Sequence, residues 1–368
     1  MSKSFSSLGL MSGTSGDGVD ASIIQSDGDT EYKLVLDRYF KYSQNIFENI
    51  HNLKDEIKDS NDLTILSNKI ESLEKTITLF HANVVNEIIK KFKTKIDIVG
   101  FHGQTIFHNA KEKITKQLGD GELLSKLTKK NIVYDFRQND LENGGQGAPL
   151  TPIFHKLLKK KFKIKDATFV NIGGIVNVTA IGIDNNMSGT DIGPGMCLID
   201  QWLRKKSKKN YDENGEIAKS GKVNKTALEK LIKNFNEKEK ILNTGPIKSF
   251  DTKFFDFSFV KDLSFEDGAA TLTEFTAKII ISAIRSSDKN KEKIILCGGG
   301  RKNNFLVQKL KKESDRIKLI DEYKVNGDFV ESQAFAYLAI RSYLKLPISF
   351  PETTGVKKPC TGGKVFKY

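Results

Sequence analysis

Twice along the chain, three short strand patterns separated by turn residues are followed by alternating helix and strand patterns, and this repetition most constrains the fold. The first run reads Ser7–Met11, a Ser/Gly/Thr/Asp cluster, Val19–Gln25, the turn Ser26-Asp27-Gly28-Asp29 and then Tyr32–Lys41, an antiparallel start. From Leu63 onward, Leu66, Ile70, Leu73, Ile77, Phe80 and Val84 step by three and four. That spacing predicts a helix of about thirty residues beginning near Ser60 or Asn61. The same spacing suits a coiled coil, so a homodimer contact through this helix is the alternative to packing on a sheet. Strand patterns at Ile96–Phe101 and Ile132–Tyr134 and a helix over Thr151–Lys161 complete the first half.

The pattern then starts again with strands Phe169–Ile172, Ile175–Ile181 and Met187–Ile192. Helices near Cys197–Lys205, Lys225–Phe235 and Ala269–Ser286, strand Lys293–Cys297, helix Phe305–Lys312, strand Ile317–Ile320 and helix Glu331–Leu344 follow. The last twenty or so residues, with Pro347, Pro351, Pro359 and Gly362-Gly363, read as an irregular tail. The expectation is a duplicated α/β architecture of two domains, residues 1–163 and 164–368, with a cleft between them.

Composition excludes several classes. With 38% hydrophobic residues and no apolar run near the roughly 18 residues of a spanning helix, neither disorder nor a membrane protein fits. The net charge of +13 raises nucleic acid as a partner, but the lysines are scattered through every segment, so no nucleic-acid partner is expected. The densest run, Lys159 to Lys165, suits the C-terminal end of a helix. Cys197, Cys297 and Cys360 are far apart and odd in number, which supports neither disulfides nor a CxxC site. With one Lys and then Phe5 to Met11 interrupted by Ser and Gly, no secretory leader is expected, and a cytoplasmic location without membrane attachment is the expectation.

Glycine clusters at Gly13/Gly16/Gly18, Gly144-Gly145/Gly147, Gly173-Gly174, Gly189/Gly193/Gly195 and Gly298-Gly299-Gly300, each at the end of an expected strand. Loops at strand ends are where ligands bind in α/β folds, and glycine lets backbone N–H groups approach phosphate closely. There is no GxxxxGK[ST] and no GxGxxG leading a strand into a helix, so neither a P-loop nor a dinucleotide site is expected. Two strand-to-strand hairpins instead suggest a clamped phosphate chain: Gly13, Thr14, Ser15, Gly16, Asp17, Gly18, Val19 and Asp20 in the first, Gly173 and Gly174 in the second. Carboxylates beside phosphate need Mg²⁺ between them, which makes Asp17 the candidate metal ligand; Asp20 is equally a turn former.

Six motifs in order carry a resemblance. They are Gly9-Leu10-Met11-Ser12-Gly13-Thr14-Ser15, Gly100-Phe101-His102-Gly103-Gln104-Thr105, Gly144-Gly145-Gln146-Gly147-Ala148-Pro149-Leu150, Asn171-Ile172-Gly173-Gly174-Ile175, Gly189-Thr190-Asp191-Ile192-Gly193-Pro194-Gly195 and Cys297-Gly298-Gly299-Gly300. Together, from residue 8 to about residue 350, they resemble the anhydro-N-acetylmuramic acid kinase family. The resemblance implies the duplicated two-domain actin-like ATPase (ribonuclease H-like) fold. It also implies a phosphotransferase of cell-wall recycling that uses ATP, Mg²⁺ and water to open the 1,6-anhydro ring of anhydro-N-acetylmuramic acid and phosphorylate O6. The chain departs from the family's usual Gly-Phe-Asp-Thr-Gly-Pro-Gly-Asn at Thr190, Ile192 and Met196, and has Gly16 where Leu is usual. A related sugar kinase of different substrate, or an actin- or chaperone-like nucleotide switch, are the alternatives.

Within this resemblance Asp191 is the expected base, taking a proton from water as C1 becomes electron-poor. Pro194 is expected in the first helical turn with Gly193 as cap, which leaves Asp191 outside capping duty. His102 and Gln104 are expected to line the sugar site, and Arg137 to meet a lactyl carboxylate, with Asp140 as its possible pair. Glu331 stands where the family has a sugar-contacting acid, and Gly298, Gly299, Gly300 and Asn303 match an adenosine loop. Trp202, Phe335 and Tyr337 read as core.

Overall fold

The computed structural model describes residues 3–93, 95–242, 247–250, 252–286 and 293–368. They divide into one unit of Met1–Lys161 with Phe329–Tyr368 and a second of Phe162–Asp328.

In the first unit β1 (Phe5–Ser12), β2 (Gly18–Ser26) and β3 (Lys33–Lys41) form the expected antiparallel meander. β4 (Ile98–Asn109) runs parallel to β1, and β5 (Ile114–Leu118) turns back on its far end. β6 (Asn131–Tyr134) lies parallel to β4. Every residue of β1 is buried, which requires cover on both faces of the sheet. One face carries the helices Gln44–Glu56 and Ser67–Phe92, whose Ile50, Leu73, Ile77, Val84 and Ile88 share a core with Leu10, Val19, Ile23 and Phe101. The expected long helix thus exists, broken at Leu66 into Asp62–Ile65 and Ser67–Phe92. Its apolar stripe is taken up by its own unit's core, which removes the coiled-coil seam on which the homodimer alternative rested.

The other face is covered by the helix Val330–Tyr343, and glycine decides how closely. Gly9 pairs with Gly100 across β1 and β4, and a Cβ on either would lie 2.0 Å from Ser332 O or 2.4 Å from Phe335 O. No side chain fits between that helix and these strands. Twelve of the helix's fourteen residues are buried, so it is a core element of the first unit and not an end of the second. The expected division at 163/164 therefore needs correction: the chain returns to the first unit at Phe329. The tail is also more ordered than expected, with a helix Pro351–Thr354 and a final strand pairing antiparallel with β6.

The second unit repeats the order. Its β7 (Ala167–Ile172), β8 (Ile175–Ile181) and β9 (Met187–Pro194) make the meander, while β10 (Lys293–Cys297) and β11 (Ile317–Leu319) add in parallel beside β7. With the closing strand β12 (Lys364–Phe366), the sheets read β12-β6-β4-β1-β2-β3 and β11-β10-β7-β8-β9. This is the duplicated meander-then-parallel arrangement of the actin-like ATPase fold. Helices Cys197–Lys206 and Phe265–Ser286 pack with Trp202 at their crossing, where a Cβ on Gly268 would lie 2.4 Å from the indole. Among the described residues no helix is long and apolar enough to cross a membrane.

Candidate active site

In the first unit the β1–β2 hairpin is braced from beneath. Gly16 sits at φ +60 with Ile50 Cγ2 3.1 Å from where a Cβ would be, so any side chain there is strained and crowds Ile50. Gln104, fully buried, donates from Nε2 to Gly13 O (3.1 Å), and its Oε1 lies 2.6 Å from the Ser12 hydroxyl. Ser12 in turn accepts from the Tyr42 hydroxyl at 3.1 Å. Gln104 thereby braces the loop from below. The Val19 side chain is wholly inside the core, so a contact with a ligand there would be through its backbone. Thr14, Ser15 and Asp17 are exposed, Gly13 and Asp20 half-buried, and Gly16 and Gly18 buried.

The helix Gln44–Glu56 also holds the hairpin. His51 Nε2 lies 2.9 Å from Ser15 O, and Lys54 Nζ donates to Thr14 O at 3.2 Å. Neither residue was expected, and the sequence reading had no helix over Gln44–Glu56 to carry them. Asp17 Oδ1 accepts from the Ser15 hydroxyl at 2.5 Å. Among the described residues no three His, Cys, Asp or Glu gather into a metal cluster. A single exposed carboxylate fits Mg²⁺, which keeps waters and substrate phosphates as most of its ligands.

His102 and Arg137 come together. Arg137 donates from Nη2 (3.0 Å) and Nε (3.2 Å) to His102 Nε2. A guanidinium has only donors, so Nε2 carries the lone pair and Nδ1–H donates to Gly103 O at 2.8 Å. Burial, and then the Arg137 charge, holds the His102 pKa well below its ordinary value. This neutral histidine serves as a bracket for Arg137, whose Nη1 also donates to Gly147 O at 2.8 Å. Asp140 does not simply pair with Arg137. It is buried, and its Oδ1 accepts from Gly147 N at 2.6 Å and fills the place of a Cβ on Gly145. Burial raises its pKa. His108 Nε2 lies 2.9 Å from Gln146 O, a second support for this glycine loop. Glu331 stands elsewhere, half-buried in the first turn of Val330–Tyr343, where a carboxylate also suits the helix dipole.

In the second unit Asp191 lies on β9, 8% exposed. Its Oδ2 accepts from Phe250 N at 3.0 Å, and its own N–H donates to Lys248 O at 3.0 Å. β9 continues through Pro194, and the helix opens only at Cys197 after Met196. The expected Gly193 cap and helical Pro194 are thus corrected; the strand runs on because Gly193 and Pro194 still pair with Val176 and Ile175. Gly173 and Gly174 turn β7 into β8, and their carbonyls accept from Met196 N, Gly195 N and Cys197 N. A Cβ on Gly195 would lie 2.3 Å from Gly173 O, so the two glycine motifs interlock.

Gly298 turns out of β10 at φ +78, and Gly300 packs on Ile172. Gly299 has nothing within 4 Å of its would-be Cβ, which makes it the open face of this loop. Asn303 caps the helix Asn304–Glu313, Oδ1 accepting from Leu306 N at 2.9 Å, and is 3% exposed. Capping accounts for its Oδ1, while its Nδ2 is buried without a hydrogen-bond partner among the described residues. Arg301, which the motif reading passed over, locks the loop. It forks onto Asp321 (2.7 and 2.9 Å), reaches Asp328 Oδ1 (2.7 Å) and donates to Gly298 O (3.1 Å). The fork holds the Asp321 carboxyl below its ordinary range, Lys302 and then Arg301 hold Asp328 down against its burial, and the two carboxylates raise Arg301 against its own burial.

The family model for anhydro-N-acetylmuramic acid kinase matches residues 6–368. A protein of that name from Pelagibacter ubique is 54% identical, with all of both chains covered. One from Zymomonas mobilis is 38% identical over 97% of this chain and 98% of its own. Among solved structures, component A of the (R)-2-hydroxyglutaryl-CoA dehydratase of Acidaminococcus fermentans aligns over 93% of this chain and 100% of its own at a TM-score of 0.46 and 12% identity, too distant a likeness to argue from. With the family model matching nearly every residue, the chain belongs to the anhydro-N-acetylmuramic acid kinase family.

Proposed function

We propose that this chain is an ATP-dependent kinase that opens the 1,6-anhydro ring of anhydro-N-acetylmuramic acid with water and phosphorylates O6, giving N-acetylmuramic acid 6-phosphate and ADP. The observation that carries this reading is full-length membership of the family together with a buried Asp191 whose Oδ2 is held by a backbone N–H. Asp191 takes the proton of the water that bonds to C1. As the C1–O6 bond breaks, its electron pair makes O6 the nucleophile that displaces ADP from the γ-phosphorus. No separate acid is required, because the leaving oxygen is the phosphoryl acceptor.

The other residues bind and orient. The backbone of Gly13 to Gly18, with the Thr14 and Ser15 hydroxyls, and the Gly173-Gly174 turn are the phosphate-holding groups, and the open Gly299 is where a nucleoside would approach the chain. Asp17 would hold Mg²⁺, which neutralises charge developing on the phosphates. Arg137, fixed by His102 and Gly147 O, suits the planar lactyl carboxylate of the sugar, with Glu331 as a second polar contact.

The test is ADP release by the purified chain with Mg²⁺, ATP and one acceptor at a time. Anhydro-N-acetylmuramic acid should be by far the best acceptor, against glucose, glycerol and N-acetylglucosamine. A maximum on another sugar would move the chain to a neighbouring kinase specificity. Turnover indifferent to every sugar would make it a nucleotide switch.

A further inference from the structure

Asp191 is not held by its own strand alone. Asp191 N–H donates to Lys248 O, Phe250 N–H donates to Asp191 Oδ2, and Lys248 N–H donates to the Thr190 hydroxyl oxygen at 2.9 Å. The Thr190 hydroxyl itself points to Asp191 O at 3.2 Å. The strap 247–250 is anchored on its far side as well: Lys248 Nζ meets Glu239 Oε1 at 2.5 Å, and the Phe250 ring stacks on Phe254 at 5.2 Å.

We propose that Thr190 is a positioning residue for the reaction, its hydroxyl holding the Lys248 amide so that Phe250 N–H stays aimed at the Asp191 carboxylate. The inference rests on Asp191 being the base. A backbone amide leaves few conformations when three bonds in a row fix it, and a base held in one orientation loses less on reaching the transition state. Thr190 contributes a side-chain hydroxyl to this ladder, beside main-chain groups and the carboxylate they serve.

The experiment compares Thr190→Val, which keeps the branched shape and removes the acceptor, with Thr190→Ser, which keeps the hydroxyl. Each is assayed for kcat and for KM of ATP and sugar, and for deuterium uptake of the peptide covering 247–250. Thr190→Val should lower kcat by about fivefold, the worth of one net hydrogen bond, with KM for ATP unchanged and faster exchange in the strap. Thr190→Ser should restore both kcat and the slower exchange. If Thr190→Val is not recovered folded, Thr190→Ala carries the same comparison. Unchanged kcat and exchange in the valine variant, or a serine variant as impaired as valine, overturns the proposal. Asp191→Asn is run beside them: if it is inactive the failure lies with Thr190 alone, and if it keeps turnover the base assignment falls and this inference with it.

Discussion

A buried carboxylate is costly unless something compensates it, and at Asp191 the compensation comes from a backbone N–H fifty-nine residues along the chain. That bond fixes the orientation of the group, which suits a base. Asparagine is nearly isosteric and still accepts from Phe250 N–H, but it takes no proton from water. Asp191→Asn should therefore leave ATP and sugar binding near normal while kcat falls by roughly 10²- to 10⁴-fold. Isothermal titration with both substrates and single-turnover kinetics separate the two effects. Loss of binding with little loss in the chemical step would assign Asp191 to ground-state recognition instead. The same scale shows where residue reading stops. The pairing of Arg137 with His102 was not legible, because it joins a strand to a loop thirty-five residues further on. At Gln104 and Asn303 the amides also serve the fold, one under a hairpin and one at a helix start. Their motifs looked the same from sequence as a ligand contact would.

At the level of elements, strand order and glycine turns were legible because period and turn chemistry are local properties. The return of the chain at Phe329 was not, since it depends on Gly9 and Gly100 lying side by side in β1 and β4, ninety-one residues apart in sequence. Their function is close approach, whereas that of Gly299 is openness, and substitution separates the two. Gly9→Ala places a Cβ 2.0 Å from Ser332 O and 2.5 Å from Ala336 N, both backbone atoms of a buried helix. It should cost at least about 2 kcal/mol and lower the urea midpoint. Gly299→Ala meets nothing within 4 Å, so its urea midpoint should match the parent, while KM for ATP rises if a nucleoside packs there. A Gly299→Ala variant that is destabilised yet keeps its KM would show that this glycine serves the loop's backbone and not a ligand.

Across the molecule the titratable groups are unevenly placed. All five histidines belong to the first unit, and three of them are buried: His81, His102 and His155. Burial pulls His81 down to about 4 and His155 to about 3, and holds His102 well below its ordinary value with the help of Arg137. Between these values and the unfolded value near 6.5 the unfolded chain binds more protons, so the first unit loses stability as pH falls below about 6.5, by about 1 kcal/mol per pH unit for each such histidine. Asp37 and Asp140, raised by burial, offset part of this at lower pH. The second unit has the opposite sign. Asp200 is pushed up to about 7 by burial with Asp212 adding to it, and its Oδ1 is buried without a hydrogen-bond partner among the described residues. Here the folded form binds more protons, so stability is gained as pH falls from about 7 towards the unfolded value near 3.8. Hydrogen exchange at pH 7 and pH 5, corrected for intrinsic rates, reads both units in one sample. Protection in β1 and β4 should fall while that in β7 and β10 holds or rises, and Asp200→Asn should abolish the rise in the second unit alone. Parallel weakening of the two sheets would mean that they unfold as one cooperative body, with the histidines setting the acid limit for the whole chain.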